Sequence, residues 1–213
     1  VLMLVIGVFD PQEAISFVSW ETIGFLLGMF LLIEILVESG FFRWIAFVSA
    51  RALHYSPLKI LIFFPALAFF LSAFINSITV MLFLAVITVE LSRVLKFDPV
   101  PVIVSEVVLS NIGGAATLVG DPPNVILGTV LGFGFDNFII HNGPVAFLSA
   151  IGAIGVSYLM NRRAFQAIPS MVKGNGVIDL NPQAQIKDKY LLVCGLVGMG
   201  GALFLLMSRP LLV

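Results

Sequence analysis

The sequence predicts an all-α polytopic membrane protein in which a re-entrant helical hairpin is followed by a discontinuous transmembrane helix. Three observations carry that prediction. Apolar residues make up 60% of the chain and charged residues 11%, at a mean hydropathy of +1.11, whereas soluble domains hold about 45–50% apolar and about 25% charged residues. The apolar residues gather into runs approaching the roughly 20 residues that a spanning helix needs. Two interruptions, Asn76–Thr79 and Ser110–Asn124, are polar or Gly/Pro-rich knots set inside apolar sequence. The solvent of such a chain is lipid.

Several function classes fall away at once. The net charge is −1 and no basic run or basic-aromatic stripe is present, so no nucleic-acid partner is expected. The single cysteine, Cys194, gives neither a disulfide framework nor a metal cluster and is read as a small packing residue. Intramembrane catalysis needs a nucleophile–base or metal set at depth, and the chain has no His pair, no HExxH and no GxSxG.

Taken in order, Val1–Phe9 is apolar from its first residue, with no initiator Met and no basic n-region. That predicts a helix cut short rather than a signal peptide. The end, Leu211–Val213, follows directly on an apolar run, so both ends are expected to be cuts in a longer protein. Asp10–Trp20 is a polar connector. Thr22–Val37 is a span with Trp20 at the interface. Phe41–Leu53, carrying Arg43 and Arg51, is short and amphipathic and is expected to lie in the interface. Leu58–Phe74 and Val80–Val94 flank the knot at Asn76. Pro101–Leu109 and Val125–Phe135 are each too short to span alone. Pro144–Leu159 and Tyr190–Met207 are spans, with a polar loop between them.

That loop holds Arg162, Arg163, Lys173, Lys187 and Lys189 and is therefore expected in the cytoplasm. Gly134–Gly143 has Asp136 and no Lys or Arg, and is expected to be a connector facing outward. The turns at Arg51–Lys59 and Arg93–Asp98 are both basic. They share the inner side if Leu58–Val94 enters the membrane and returns as a hairpin.

The chemistry is concentrated in the two knots. Loose backbone at membrane depth is tolerated only where it is buried in protein or lines a cavity. In Ser110–Asn124, Gly113, Gly114 and Gly120 permit turns that other residues resist, and Pro122 and Pro123 remove two N–H donors. A broken helix frees carbonyls that hold a cation and N–H groups that hold an anion. Asn111, Thr117, Asp121 and Asn124 add oxygens suited to a hard cation such as sodium. At the other knot, Asn76, Ser77 and Thr79 put amide and hydroxyl groups at the hairpin tip. The alternatives are a plain turn between two full spans at Asn76 and an ordinary extramembrane loop at Ser110–Asn124.

Three more carboxylates fall in apolar runs. Glu34 is read as a structural ion pair or an inward-facing group, and Glu90 as the i,i+3 partner of Arg93. Glu106 has either a proton or ion role or a hydrogen bond that steadies the break. His54 and His141 are read as solvated connector residues.

The stretch Val104–Asn111 followed by Ile112–Asn124, with Trp20–Thr22 through Gly28–Met29, resembles the ion transporter superfamily. The similarity runs from about Phe9 to Leu159 and is to the branch of arsenite permeases, sodium–proton antiporters and the melanosomal P protein. The divalent anion–sodium symporters are more distant. The resemblance implies one inverted-repeat half. It has scaffold-type helices in 1–56, a transport-type unit in 57–161 and a cytoplasmic loop over 162–189. The transport-type unit comprises the hairpin 57–97, the broken helix 98–135 and the helix 144–161, and a further scaffold helix starts in 190–213.

It also implies Na+ or H+ as coupling ion, with no other cofactor, and sodium near Ser77, Asn111, Gly113 and Asp121. An elevator motion is implied too, with a homodimer of the full-length protein in a bacterial or archaeal inner membrane. Two departures stand out. The tip reads Asn76-Ser77-Ile78-Thr79-Val80 rather than the usual Ser-Asn-Thr or Asp-Asn-Val-Thr-Thr, and the second hairpin and second break are absent. Asp121 matches the arsenite and antiporter branch, where the dicarboxylate symporters carry Thr. A carboxylate at depth is costly unless it holds a cation or a proton, so Asp121 and Glu106 are the coupling candidates. The competing readings are a passive ion channel on the same scaffold and a non-transporting half-protein.

Overall fold

Lipid offers no hydrogen bonds to backbone, so the chain satisfies its own amides in helices. The computed structural model describes residues 20–166 and 185–208, and among them every regular element is helical. In chain order these are α1 (Trp20–Glu38), α2 (Phe41–Ala52), α3 (Pro57–Ser72), α4 (Ser77–Leu95), α5 (Val100–Ala116), α6 (Pro122–Leu131), α7 (Phe135–Gln166) and α8 (Lys189–Ser208). By length and composition α4, α7 and α8 are each long and apolar enough to cross a membrane, and the bent pair α1–α2 can count as a fourth crossing. The expected elements in 1–19 and 167–184 lie outside the described residues.

The bend between α1 and α2 is 54° and turns on Gly40, whose φ of +84° is left-handed. A Cβ there would also collide with the backbone carbonyl of Gln185. α2 is amphipathic as expected: it buries Phe42, Ala46, Phe47 and Ala50, and Phe42 stacks on Phe83 of α4 at 5.2 Å. Arg43 reaches Glu90 of α4 at 3.1 Å and donates from Nε to Gln185 Oε1 at 3.0 Å. Glu90 therefore pairs across helices, not with Arg93 as expected. Arg93 points outward and is exposed, while α2 brings a guanidinium across.

α5 is the central helix, packed on α3, α4 and α7. Gly113 lets it approach α3 closely: a Cβ there would strike Phe69 O and Ser72 Oγ. This corrects the expected extent of the break. Gly113 and Gly114 lie within the last turn of α5, and the chain leaves the helix only over Thr117–Asp121. Glycine is tolerated in a helix when a neighbour fills the space that a side chain would take.

The connector expected at Gly134–Gly143 is a second correction. After α6, Gly132 (φ +70°) turns the chain, and α7 begins at Phe135 and runs 32 residues with Pro144 inside it. His141 is thus a helical residue whose Nδ1 lies 2.9 Å from Asn137 O, not part of a loop. Cys194 is exposed on α8 rather than packed, and Glu34 is exposed on α1 with no ion pair to a described residue. α8 packs on α1, with Leu36 and Leu32 seated against Gly195 and Gly198.

Phe97, just after α4, meets Phe165 near the end of α7, with ring centroids 5.7 Å apart. Ser105 on α5 contacts Ser157 on α7 at 2.5 Å. The ends carrying Arg93, Lys96, Arg162 and Arg163 therefore share one side of the bundle, away from the hairpin tip.

Candidate functional site at the broken helix

The hairpin turns at Ala73–Asn76, and Asn76 starts α4: its Oδ1 accepts from Ile78 N at 2.9 Å and Thr79 N at 3.4 Å. That is an N-cap, which satisfies backbone donors left over at the start of a helix. The cap fixes Ser77 as the first residue of α4, and Ser77 reaches the break. Its Oγ donates to Asp121 Oδ1 at 2.6 Å and its backbone N donates to the same oxygen at 3.4 Å. The short O–H···O contact is the length expected of a charge-assisted bond.

Asp121 is itself the N-cap residue of α6, without a side-chain capping bond. Its carboxylate therefore sits where the N-termini of α4 and α6 converge, and the positive ends of both helix dipoles favour it. Asp121 Oδ2 lies directly against Gly114, where any Cβ would overlap it. Gly120 fits just as closely: a Cβ would come within 2.8 Å of both Gly114 Cα and Ser72 O. Pro122 and Pro123 open α6, where a missing N–H costs nothing.

The carbonyls released at the end of α5 need partners. Asn124 supplies two, donating from Nδ2 to Gly114 O at 2.9 Å and to Thr117 O at 2.8 Å. Thr117 Oγ1 donates to Ala73 O of the hairpin turn. Asn124 also lines a cleft of about 360 Å³ along α6 and the start of α7, together with Asn137, His141 and Asn142.

Of the residues singled out from sequence, the structure brings together Asn76, Ser77, Gly114, Thr117, Gly120, Asp121 and Asn124. Asn111 stands apart: it is exposed, and its Nδ2 donates to Val107 O of its own helix at 2.7 Å. Gly113 faces α3. Thr79 is half-buried and enters through its backbone N alone. Glu106 lies two turns below Gly114 and is fully buried. Its Oε1 accepts from Thr88 Oγ1 at 2.6 Å. Thr88 was missed, although its spacing from Ser77 puts both hydroxyls on one face of α4. Among the described residues no cluster of three or more His, Cys, Asp or Glu could hold a metal ion.

The described residues form a polytopic helical protein in which a discontinuous helix is braced against a hairpin tip by paired polar groups. The chain belongs to the citrate transporter family, whose model matches residues 1–213. It is 35% identical to a "46 kDa membrane protein" of Mycobacterium leprae over 84% of this chain and 42% of that one. The identity to an "uncharacterized transporter" of Mycobacterium tuberculosis (strain CDC 1551 / Oshkosh) is also 35%, with the same coverage of 84% and 42%. The human P protein is 39% identical over 54% of this chain and 14% of its own length. The chain thus spans about two fifths of the mycobacterial relatives. No solved structure matches it. It is an integral membrane protein whose family, and the Mycobacterium tuberculosis relative, are named as transporters rather than enzymes.

Proposed function

We propose that this chain is the ion-binding half of a cation-coupled secondary transporter, with the coupling cation taken up at Asp121. The Ser77–Asp121 contact carries the reading, because it closes the break onto the hairpin tip through a carboxylate. A carboxylate among apolar membrane helices is stabilised by a cation or a proton. The two converging helix N-termini already have an anion in Asp121. The helix ends offer only partial positive charge, and sodium or a proton supplies the full charge that balances the carboxylate.

The transported species is a small anion, metalloid or cation. Citrate is the first candidate by family description. The ties Ser77–Asp121 and Thr117–Ala73 join hairpin and broken helix into one body. That body moves against α1, α2 and α8 in a dimeric full-length protein, elevator fashion. The basic side of the bundle faces the cytoplasm, as the bias of Lys and Arg requires, and the membrane is a bacterial or archaeal inner membrane.

The test is counterflow in proteoliposomes with labelled citrate, arsenite and sodium in separate arms. Saturable exchange of one of them that Asp121→Asn makes independent of sodium and pH is the expected result. Flux without counterflow assigns a passive pore instead and overturns the proposal, as does an Asp121→Asn protein with unaltered ion dependence.

A further inference from the structure

The α4–α5 interface contains a second hydroxyl–carboxyl contact that the site at Asp121 does not use. Ser77–Asp121 lies at the tip. Three turns further along the same face of α4, about 16 Å away at 1.5 Å per residue, Thr88 Oγ1 meets Glu106 Oε1 at 2.6 Å. Glu106 is 0% exposed. Its other oxygen, Oε2, is buried with no hydrogen-bond partner.

The surroundings define what such an oxygen can accept. α5 is packed by α3, α4 and α7. Their titratable groups are Lys59 on α3, Glu90 and Arg93 on α4, and Asp136, His141, Tyr158, Arg162 and Arg163 on α7. None of them is bonded to Glu106, and the ion pair among the described residues is Arg43–Glu90. A charged carboxylate here, fully buried and with no counter-ion among these groups, would carry a penalty of several kcal/mol. A divalent metal ion is a poor solution, since calcium and magnesium take about six or more oxygens and the side chain bonded to Glu106 is that of Thr88 alone among the described residues. The neighbouring Ser105 hydroxyl is committed to Pro101 O and Ser157. The cation that fits is a proton.

We propose that Glu106 is a proton-binding site separate from Asp121, loaded at Oε2 and sensitive to how α4 packs on α5. The proton comes from water and returns to it when α4 and α5 part far enough to wet Oε2. Its role in coupling rests on the transporter reading above, whereas the bound proton does not.

Infrared difference spectroscopy on the reconstituted protein tests the proton directly and needs no substrate. The wild type should show the C=O stretch of a protonated carboxyl, slow to shift in heavy water. That band should be absent from Glu106→Gln and retained in Asp121→Asn. Thr88→Val, which replaces the hydroxyl by a methyl of similar size, should move it to higher frequency and keeps the test available if Glu106→Gln misfolds. No such band in the wild type, or one unchanged by both Glu106→Gln and Thr88→Val, overturns the proposal. Counterflow of labelled citrate, arsenite and sodium, measured on the same preparation, decides the transporter reading independently.

Discussion

Asn124 and Gly114 close the break from opposite sides: the amide at the start of α6 donates to the last-turn carbonyl of α5 at 2.9 Å. The same nitrogen donates to Thr117 O at 2.8 Å. One side chain thus answers two carbonyls that the end of α5 leaves open.

Asn124→Ala should therefore destabilise the protein by about 1–3 kcal/mol for each carbonyl left without a partner. Asn124→Asp should be worse, because it turns an acceptor toward two acceptors. Thermal unfolding in detergent checks both, and a melting temperature for Asn124→Asp at or above that of Asn124→Ala would contradict the assignment.

Gly120→Ala should cost about 1–3 kcal/mol through overpacking, because its Cβ would meet the backbone of Gly114 and Ser72 and neither can rotate away. Gly152→Ala on α7, with nothing within 4 Å of its Cβ position, should be neutral or stabilising by up to about 1 kcal/mol. Measuring the two together separates close packing from helix propensity.

The break at Gly120-Asp121-Pro122-Pro123 was legible because local chemistry alone stops a helix there: two prolines remove donors and fix φ. Gly113 and Gly114 were not legible as helix. Whether a glycine interrupts a helix or serves close packing is decided by what sits against it, here α3 for Gly113 and the Asp121 carboxylate for Gly114. The same holds for α7, where Asn137, His141 and Asn142 read as a loop although they occupy the exposed face of a continuous helix. Glu90 was assigned the neighbour that spacing offers, while the structure gives it Arg43 on another helix. Local signals located the site, and tertiary packing set its edges.

Asn76→Ala should remove the N-cap of α4 and lower stability by about 0.5–2 kcal/mol, while Asn76→Asp or Asn76→Ser retains most of it. The cap also sets the position of Ser77, so the sodium or pH dependence of transport should shift in Asn76→Ala and recover in Asn76→Asp. A drop in stability with unchanged ion dependence would separate the cap from the ion site.

A double-mutant cycle on Arg43→Gln and Glu90→Gln should return a coupling of about 1 kcal/mol or less. The pair is 35% and 42% exposed, and solvent screens such pairs strongly. A coupling well above that would mean that lipid, rather than water, surrounds it.

The corner at Gly40 has a bearing on the order of assembly. Lys187 N donates to Ser39 O at 2.9 Å, and Gln185 lies over Gly40 so closely that no larger residue fits beneath it. The root of α8 thus seats on a corner synthesised long before it. During biogenesis α1 and α2 are the template and α8 is the latecomer, so a missense change at Gly40 would surface as failure to dock a helix made much later.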